Sequence, residues 1–136
     1  MEPVLLVAGG SGVVPLMSMI RHYKAAGSSV PLRLLYSSRS QKDVIYSGEL
    51  SRLGASNGKL EIFCTFTQQI PPGWTGYSRL IDVQMLREVA GPLGRNARAY
   101  VCGPTLMVEA VANGLLLVGL VPDQIRTERF GPTGTS

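Results

Sequence analysis

The chain has 136 residues, 45% of them hydrophobic, which is the size and apolar content of one domain with one real core. Its formal charge of +4 is the balance of 13 Lys and Arg against 9 Asp and Glu, with the basic residues scattered and no basic run, which does not support a nucleic-acid stripe and suits a polyanionic small ligand. The longest apolar stretch, residues 115–121, is interrupted by Gly119 and falls far short of the roughly 20 residues that span a bilayer.

Strand and helix patterns alternate along the chain. Residues 3–8 (PVLLVA) are a continuous apolar run that ends in Gly9-Gly10, as a strand buried on both faces reads. Residues 15–26 place Leu16, Met19, Ile20 and Tyr23 at helical spacing, with Gly27 as a stop. Residues 31–36 (PLRLLY) give a second strand. The spacing of Val44, Ile45, Leu50 and Leu53 predicts a helix over 43–53. A third strand, 59–67, alternates cleanly, and a turn-rich loop comes next around Pro71-Pro72-Gly73. A short helix over 82–89 has Asp82 as its N-cap. Then come a fourth strand at 98–102, an apolar helix at 105–118, a fifth strand at 124–130 and a polar tail. Such alternation forces a parallel sheet with helices on both faces and right-handed crossovers, an α/β architecture in one domain over 1–136, with 131–136 expected to be flexible.

In open α/β sheets ligands bind beyond the carboxyl ends of the strands. Three turns lie there. The first, Gly9-Gly10-Ser11-Gly12-Val13-Val14-Pro15, comes after a buried strand and opens a helix. Its glycines let backbone approach a phosphate, its helix start favours an anion, Ser11 adds a hydroxyl, and Pro15 suits a first helical turn. The same glycines also serve a tight turn with no ligand. Pro15 stands where the dinucleotide fingerprint has its third glycine, and no P-loop Lys is present after it. The second turn carries Ser38 and Arg39 where an adenosine ribose falls, and Arg39 reads equally as a 2′-phosphate partner or a solvated loop residue. In the third, Cys102-Gly103-Pro104, a thiol ends a strand before a helix. Cys102 and Cys64 are too far apart for a metal or redox pair and read as buried thiols. His22 reads as a surface residue and Trp74 as the anchor of its loop.

Taken together, GGSGVVPLMSMIR, YVCGPTLMVEAV and ERFG resemble the ferredoxin–NADP reductase-like flavoproteins, which include oxygenase reductase components and flavin and cytochrome reductases. The resemblance covers essentially the whole chain. It implies a three-layer, Rossmann-like α/β/α domain with a five-stranded parallel sheet in the order 3-2-1-4-5. It implies NAD or NADP as ligand, with Gly9, Gly10, Ser11, Gly12 and Pro15 along the pyrophosphate and nicotinamide. Cys102, Gly103, Pro104 and Met107 would flank the nicotinamide, and Cys102 and Glu128 would stand at the hydride-transfer position, with Phe130 close by. Ser38, Arg39 and Thr67 would meet the adenosine end. Thr67-Gln68 stands where NADP-specific members carry Ser-Arg, so Arg39 or Arg79 would substitute. The implied reaction is hydride transfer to FAD or FMN and onward to a redox protein or metal centre.

The family's flavin-binding signature does not occur in these residues. The chain is therefore expected to need a flavin domain, in the same polypeptide or as a partner, and to be inactive alone. A non-catalytic nucleotide-binding module is the alternative. An ordinary Rossmann dehydrogenase is disfavoured by the missing third glycine and by Ser38-Arg39 where an acidic residue is expected. Without a secretory n-region and h-region, the expected location is the cytoplasm.

Overall fold

The strand β1 (Val4–Gly9) lies at the centre of the fold because it is apolar on both sides. Leu5 and Val7 point to one helical layer, Leu6 and Ala8 to the other, and all four are fully buried. A pleated strand sends successive side chains to opposite faces, so a strand without a polar face needs cover on both. The computed structural model describes residues 2–55 and 59–130. Within them β1, β2 (Leu32–Ser38), β3 (Leu60–Phe66), β4 (Arg98–Pro104) and β5 (Ile125–Phe130) form a parallel sheet ordered β3-β2-β1-β4-β5. This is the three-layer architecture and strand order that the sequence resemblance implies. The polar tail, 131–136, lies outside the described residues.

Helices α1 (Val13–Ala25) and α2 (Ser47–Ala55) cover the Leu6 face, where Leu16, Met17, Ile20 and Leu50 pack with Leu34 and Tyr36. Helices α3 (Val83–Ala90) and α4 (Thr105–Val118) cover the Leu5 face through Met85, Leu86, Val89, Val108, Val111 and Leu115. None of these helices is long and apolar enough to cross a membrane.

Two helices begin elsewhere than the apolar spacing predicts. α1 starts at Val13, two residues early, because Gly12 caps it and buried Val13 already belongs to the core. The predicted 43–53 helix starts late, at Ser47. Residues 41–43 form one 3-10 turn, Val44 is extended, and Tyr46 has a positive φ of 61°. The cause is the buried phenol of Tyr36, whose hydroxyl accepts the N–H of Ile45 at 3.0 Å and so holds that stretch out of a helix. The guanidinium of Arg21 lies 5.0 Å from the ring of Tyr46 and fixes it from outside.

Asp82 caps α3: its carboxylate accepts the N–H of Met85 at 2.8 Å and pairs with Arg79 at 2.6 Å. The Arg79 bond, and then the Met85 bond, hold its pKa below the ordinary aspartate value. A lowered folded pKa means the contribution to stability is present above that ordinary value and fades as pH falls through the folded one. Asp82→Ala should therefore cost about 1 kcal/mol and roughly 4 °C in Tm at pH 7. Calorimetric melts should show the gap to the parent chain shrinking below pH 3.8; a gap that stays constant into acid contradicts the capping role of this carboxylate.

Candidate functional site at the β1–β4 corner

The chain winds from β1 outward through β2 to β3, then returns to lay β4 on the other side of β1. The loops leaving β1 and β4 depart to opposite faces, which opens a crevice between them. Ala8 and Cys102 are register partners across this seam. Beyond Gly9, the 3-10 turn Gly10–Gly12 runs directly into α1.

Backbone meets backbone here. A Cβ on Gly12 would lie 2.0 Å from the carbonyl oxygen of Cys102 and 2.5 Å from its carbon. Gly12 is therefore pressed on the end of β4 in a way that only glycine permits. Gly10 differs: it has a φ of +54°, it is exposed, and a Cβ would meet nothing within 4 Å. Ser11 beside it is exposed as well. The corner thus turns the exposed backbone of Gly10 and Ser11 outward just before a 13-residue helix, whose first N–H, that of Val13, bonds to the carbonyls of Gly10 and Ser11. A diphosphate fits such a cradle, with the helix dipole favouring its charge.

Gly9 and Gly103 face each other, and the thioether of Met107 fills the space above both; a Cβ on Gly9 would stand 2.3 Å from its sulfur. Further along, Cys102 pairs with Glu128 and Pro104 with Phe130. Pro15, Cys102 and Glu128 line one cleft of about 380 Å³ between α1 and the β4–β5 edge, where Pro15 and Glu128 are exposed and Cys102 is buried. Burial, and then the Glu128 carboxylate, push the Cys102 thiol above its ordinary pKa, so it stays neutral at physiological pH. Tyr100 and Arg126 also line this cleft, although their sequence context does not single them out. The signal was present in the strand period of two, which places them on the faces of Cys102 and Glu128.

The adenosine-side candidates lie at the neighbouring strand ends. Ser38 is buried and its hydroxyl donates to the carbonyl of Ser40 at 2.9 Å, so it turns away from any ligand above the sheet. Arg39 is exposed. Thr67 is half-buried and donates its N–H to the carbonyl of Ser38 at 3.0 Å. Arg79, the other candidate cation, is held by Asp82 through two bonds and stacks at 5.3 Å on Tyr77. Trp74 anchors its loop: its ring meets Phe66 edge-on at 4.9 Å, and its N–H donates to the carbonyl of Tyr77 at 2.8 Å. His22 is exposed on α1, away from the strand ends.

Residues 6–113 match the family described as the oxidoreductase NAD-binding domain. The chain belongs to that family. It is similar to the glycine betaine monooxygenase reductase subunit of Pseudomonas aeruginosa, with 33% identity over 134 residues, 97% of this chain and 36% of that protein. Ferredoxin–NADP reductase B of Sorangium cellulosum is 33% identical over 135 residues, 94% of this chain and 54% of its own length. The chain thus spans between a third and somewhat more than half of these relatives. In fold, it superposes on the cytochrome b5 reductase domain of Ulva prolifera nitrate reductase with a TM-score of 0.84 at 24% identity, covering 94% of this chain and 49% of that one. The family places this NAD-binding domain among reductases of the ferredoxin-reductase type.

The corner makes a sharp stability contrast. Gly12→Ala should cost about 3 kcal/mol or more, because the carbonyl of Cys102 cannot yield. Gly10→Ala should cost only about 1 kcal/mol, the strain of a positive φ without a clash. Urea denaturation of both variants measures this; equal costs would mean that the seam has room for a side chain at residue 12.

Proposed function

We propose that this domain binds NAD(P)H across the β1–β4 corner and holds its nicotinamide between Cys102 and Glu128 for reduction of a flavin. The flavin is carried by a separate domain or partner, and electrons then pass to a redox protein or metal centre. The observation that carries this reading is the contact of Gly12 with the carbonyl of Cys102. It makes the anion cradle and the Cys102–Glu128 cleft parts of one continuous site that a dinucleotide can bridge. The names of the relatives support a role in reductase systems, and the length that this chain does not span leaves room for a flavin-binding part.

A flavin held by that separate part would supply the redox chemistry. The residues of this chain bind and orient. The backbone of Gly10–Gly12 and the hydroxyl of Ser11 receive the diphosphate, and Pro15 borders the nicotinamide side. Cys102 would offer a small, soft side chain beside the nicotinamide. Because its thiol stays protonated, it acts by shape and not as a nucleophile. Glu128, exposed at the next strand, offers an acceptor to the nicotinamide carboxamide. Met107 and Pro104 close the pocket over Gly9 and Gly103, and Phe130 presents a ring at the rim.

Isothermal titration of the folded chain with NADH and NADPH should show saturable binding of at least one of them below millimolar concentration; heat indistinguishable from dilution would favour a non-catalytic interaction module. Cys102→Ala should leave the affinity within about two-fold, since a positioning thiol contributes little to ground-state binding. In stopped flow, with the flavin part supplied, the same variant should slow flavin reduction. An unchanged reduction rate would remove Cys102 from the positioning role.

A further inference from the structure

We infer that the outward face of α4 is a self-association surface, on which a second copy of this chain packs its own α4 antiparallel, about a two-fold axis at the level between Val111 and Ala112.

The helices of this fold do not face water alike. The outward side of α1 carries Arg21 and Lys24, that of α2 Arg52, and that of α3 Arg87 and Glu88. α4 differs. Val108, Val111 and Leu115 bury its inner side in the core, yet its outer side is apolar as well: Leu106 is 52% exposed and Leu117 68%. Glu109 is the one charged residue in its 14 positions. A helix that is apolar all round is stable in water when it is covered all round.

The exposed residues form an ordered line. At about 100° per residue, Leu106, Ala110, Asn113 and Leu117 fall within an arc of roughly 60°. Glu109 stands at the border of that line, and Arg129 on β5 donates to its carboxylate at 3.3 Å, so its charge is answered within the chain. Leu116, also exposed, widens the line on the same border.

This line is its own complement. In a two-fold pairing the same patch meets itself, so residue i touches residue j of the second copy and j touches i. Leu106 and Leu117 are equidistant from the midpoint between Val111 and Ala112, and so are Ala110 and Asn113. Antiparallel α4 helices centred there set leucine on leucine at both ends. Near the axis they set Asn113 over the small Ala110, which lets the two backbones approach. The two Asn113 residues then lie about 4.5 Å apart along the axis, from a rise of about 1.5 Å per residue. An amide both donates and accepts, so it satisfies a copy of itself, and one such polar pair fixes the register of an otherwise apolar contact. A single helix face buries less than the roughly 1,200 Å² at which standard interfaces begin, which sets this pairing among weak, reversible contacts.

The test is sedimentation equilibrium of the full chain. The expected result is a monomer–dimer equilibrium with a dissociation constant on the order of 100 µM. Raised salt should not weaken it, since salt screens the repulsion between two chains of net charge +4. Leu106→Glu and Leu117→Lys should each weaken dimerisation about ten-fold or more. Leu80→Lys, at a residue 75% exposed outside this face, should leave it unchanged. Leu106 and Leu117 are both exposed, so circular dichroism of their variants should report the parent fold. Mixed in equal amounts, the Leu106→Glu and Leu117→Lys chains should associate again. The antiparallel register sets the new carboxylate of one against the new ammonium of the other and keeps a leucine pair at the second end. A chain that stays monomeric up to about 1 mM, dimerisation that neither variant weakens, or a mixture that fails to recover overturns the inference. So does a monomeric chain whose Leu117→Lys variant loses affinity for a flavin-carrying part, an outcome that assigns the face to that part. Dinucleotide binding at the β1–β4 corner is read separately by calorimetry and stands or falls on its own.

Discussion

Everything at the carboxyl edge of the sheet depends on one steric constraint, the closeness of Gly12 to the carbonyl of Cys102. β1 and β4 are sheet neighbours although some ninety residues separate them in sequence, so their exits must share one small space. Removing the side chain at residue 12 lets the turn after β1 pass directly over the end of β4. That passage sets where α1 begins and at what height Pro15, Leu16 and Met19 stand over the Cys102–Glu128 cleft. A bulkier corner would push α1 outward, separating the anion cradle from the cleft. The geometry of the corner is therefore a consequence of chain topology and one missing Cβ.

The rest of the fold keeps this seam rigid. Residues of β1 are buried on both faces, so neither helical layer can slide without exposing apolar surface. On the Leu5 side, Arg33 joins sheet to helix. Its guanidinium donates to the carbonyl of Val89 at 3.0 Å at the end of α3, pairs with Glu61 at 3.0 Å on β3, and lies 5.0 Å from the ring of Phe63. A cation at a helix carboxyl end meets both the unpaired carbonyls and the dipole. The Tyr77 hydroxyl likewise donates to Glu88 at 2.6 Å; burial, and then that carboxylate, push its pKa up to about 12. The long loop after β3 is thereby pinned to α3 and holds its shape beside the β2 end.

Much of this was legible in the sequence because the signals are local and repetitive. Alternating patterns specify an α/β sheet, and glycines after a buried strand mark the corner. Asp82 reads as a cap because its chemistry acts three residues away. Features that depend on distant partners were not legible. The delayed start of α2 is caused by the hydroxyl of Tyr36, a residue whose burial is fixed by the neighbouring strands. The inward turn of Ser38 could not be separated from an outward one by residue type, since a serine at a strand end serves either purpose. Engagement of Arg79 by Asp82 is a three-residue spacing that reads as an ion pair only once the loop is seen to fold back. Tyr100 and Arg126 gain significance only through the pairing of β4 with β5.

The arrangement divides labour along the crevice. In the proposed reading the backbone of the corner would meet the diphosphate, a feature every dinucleotide shares, so this part would contribute affinity without discrimination. At β4 and β5 the groups are a neutral thiol and an exposed carboxylate, one shaping the space and the other accepting hydrogen bonds. Such a pair can orient a ring without reacting with it, because a thiol kept above its ordinary pKa by burial supplies almost no thiolate. In the proposed reading the exposed Arg39 at the end of β2 would lie toward the adenosine side of the ligand, apart from the Cys102–Glu128 cleft on the other flank of the sterically fixed centre.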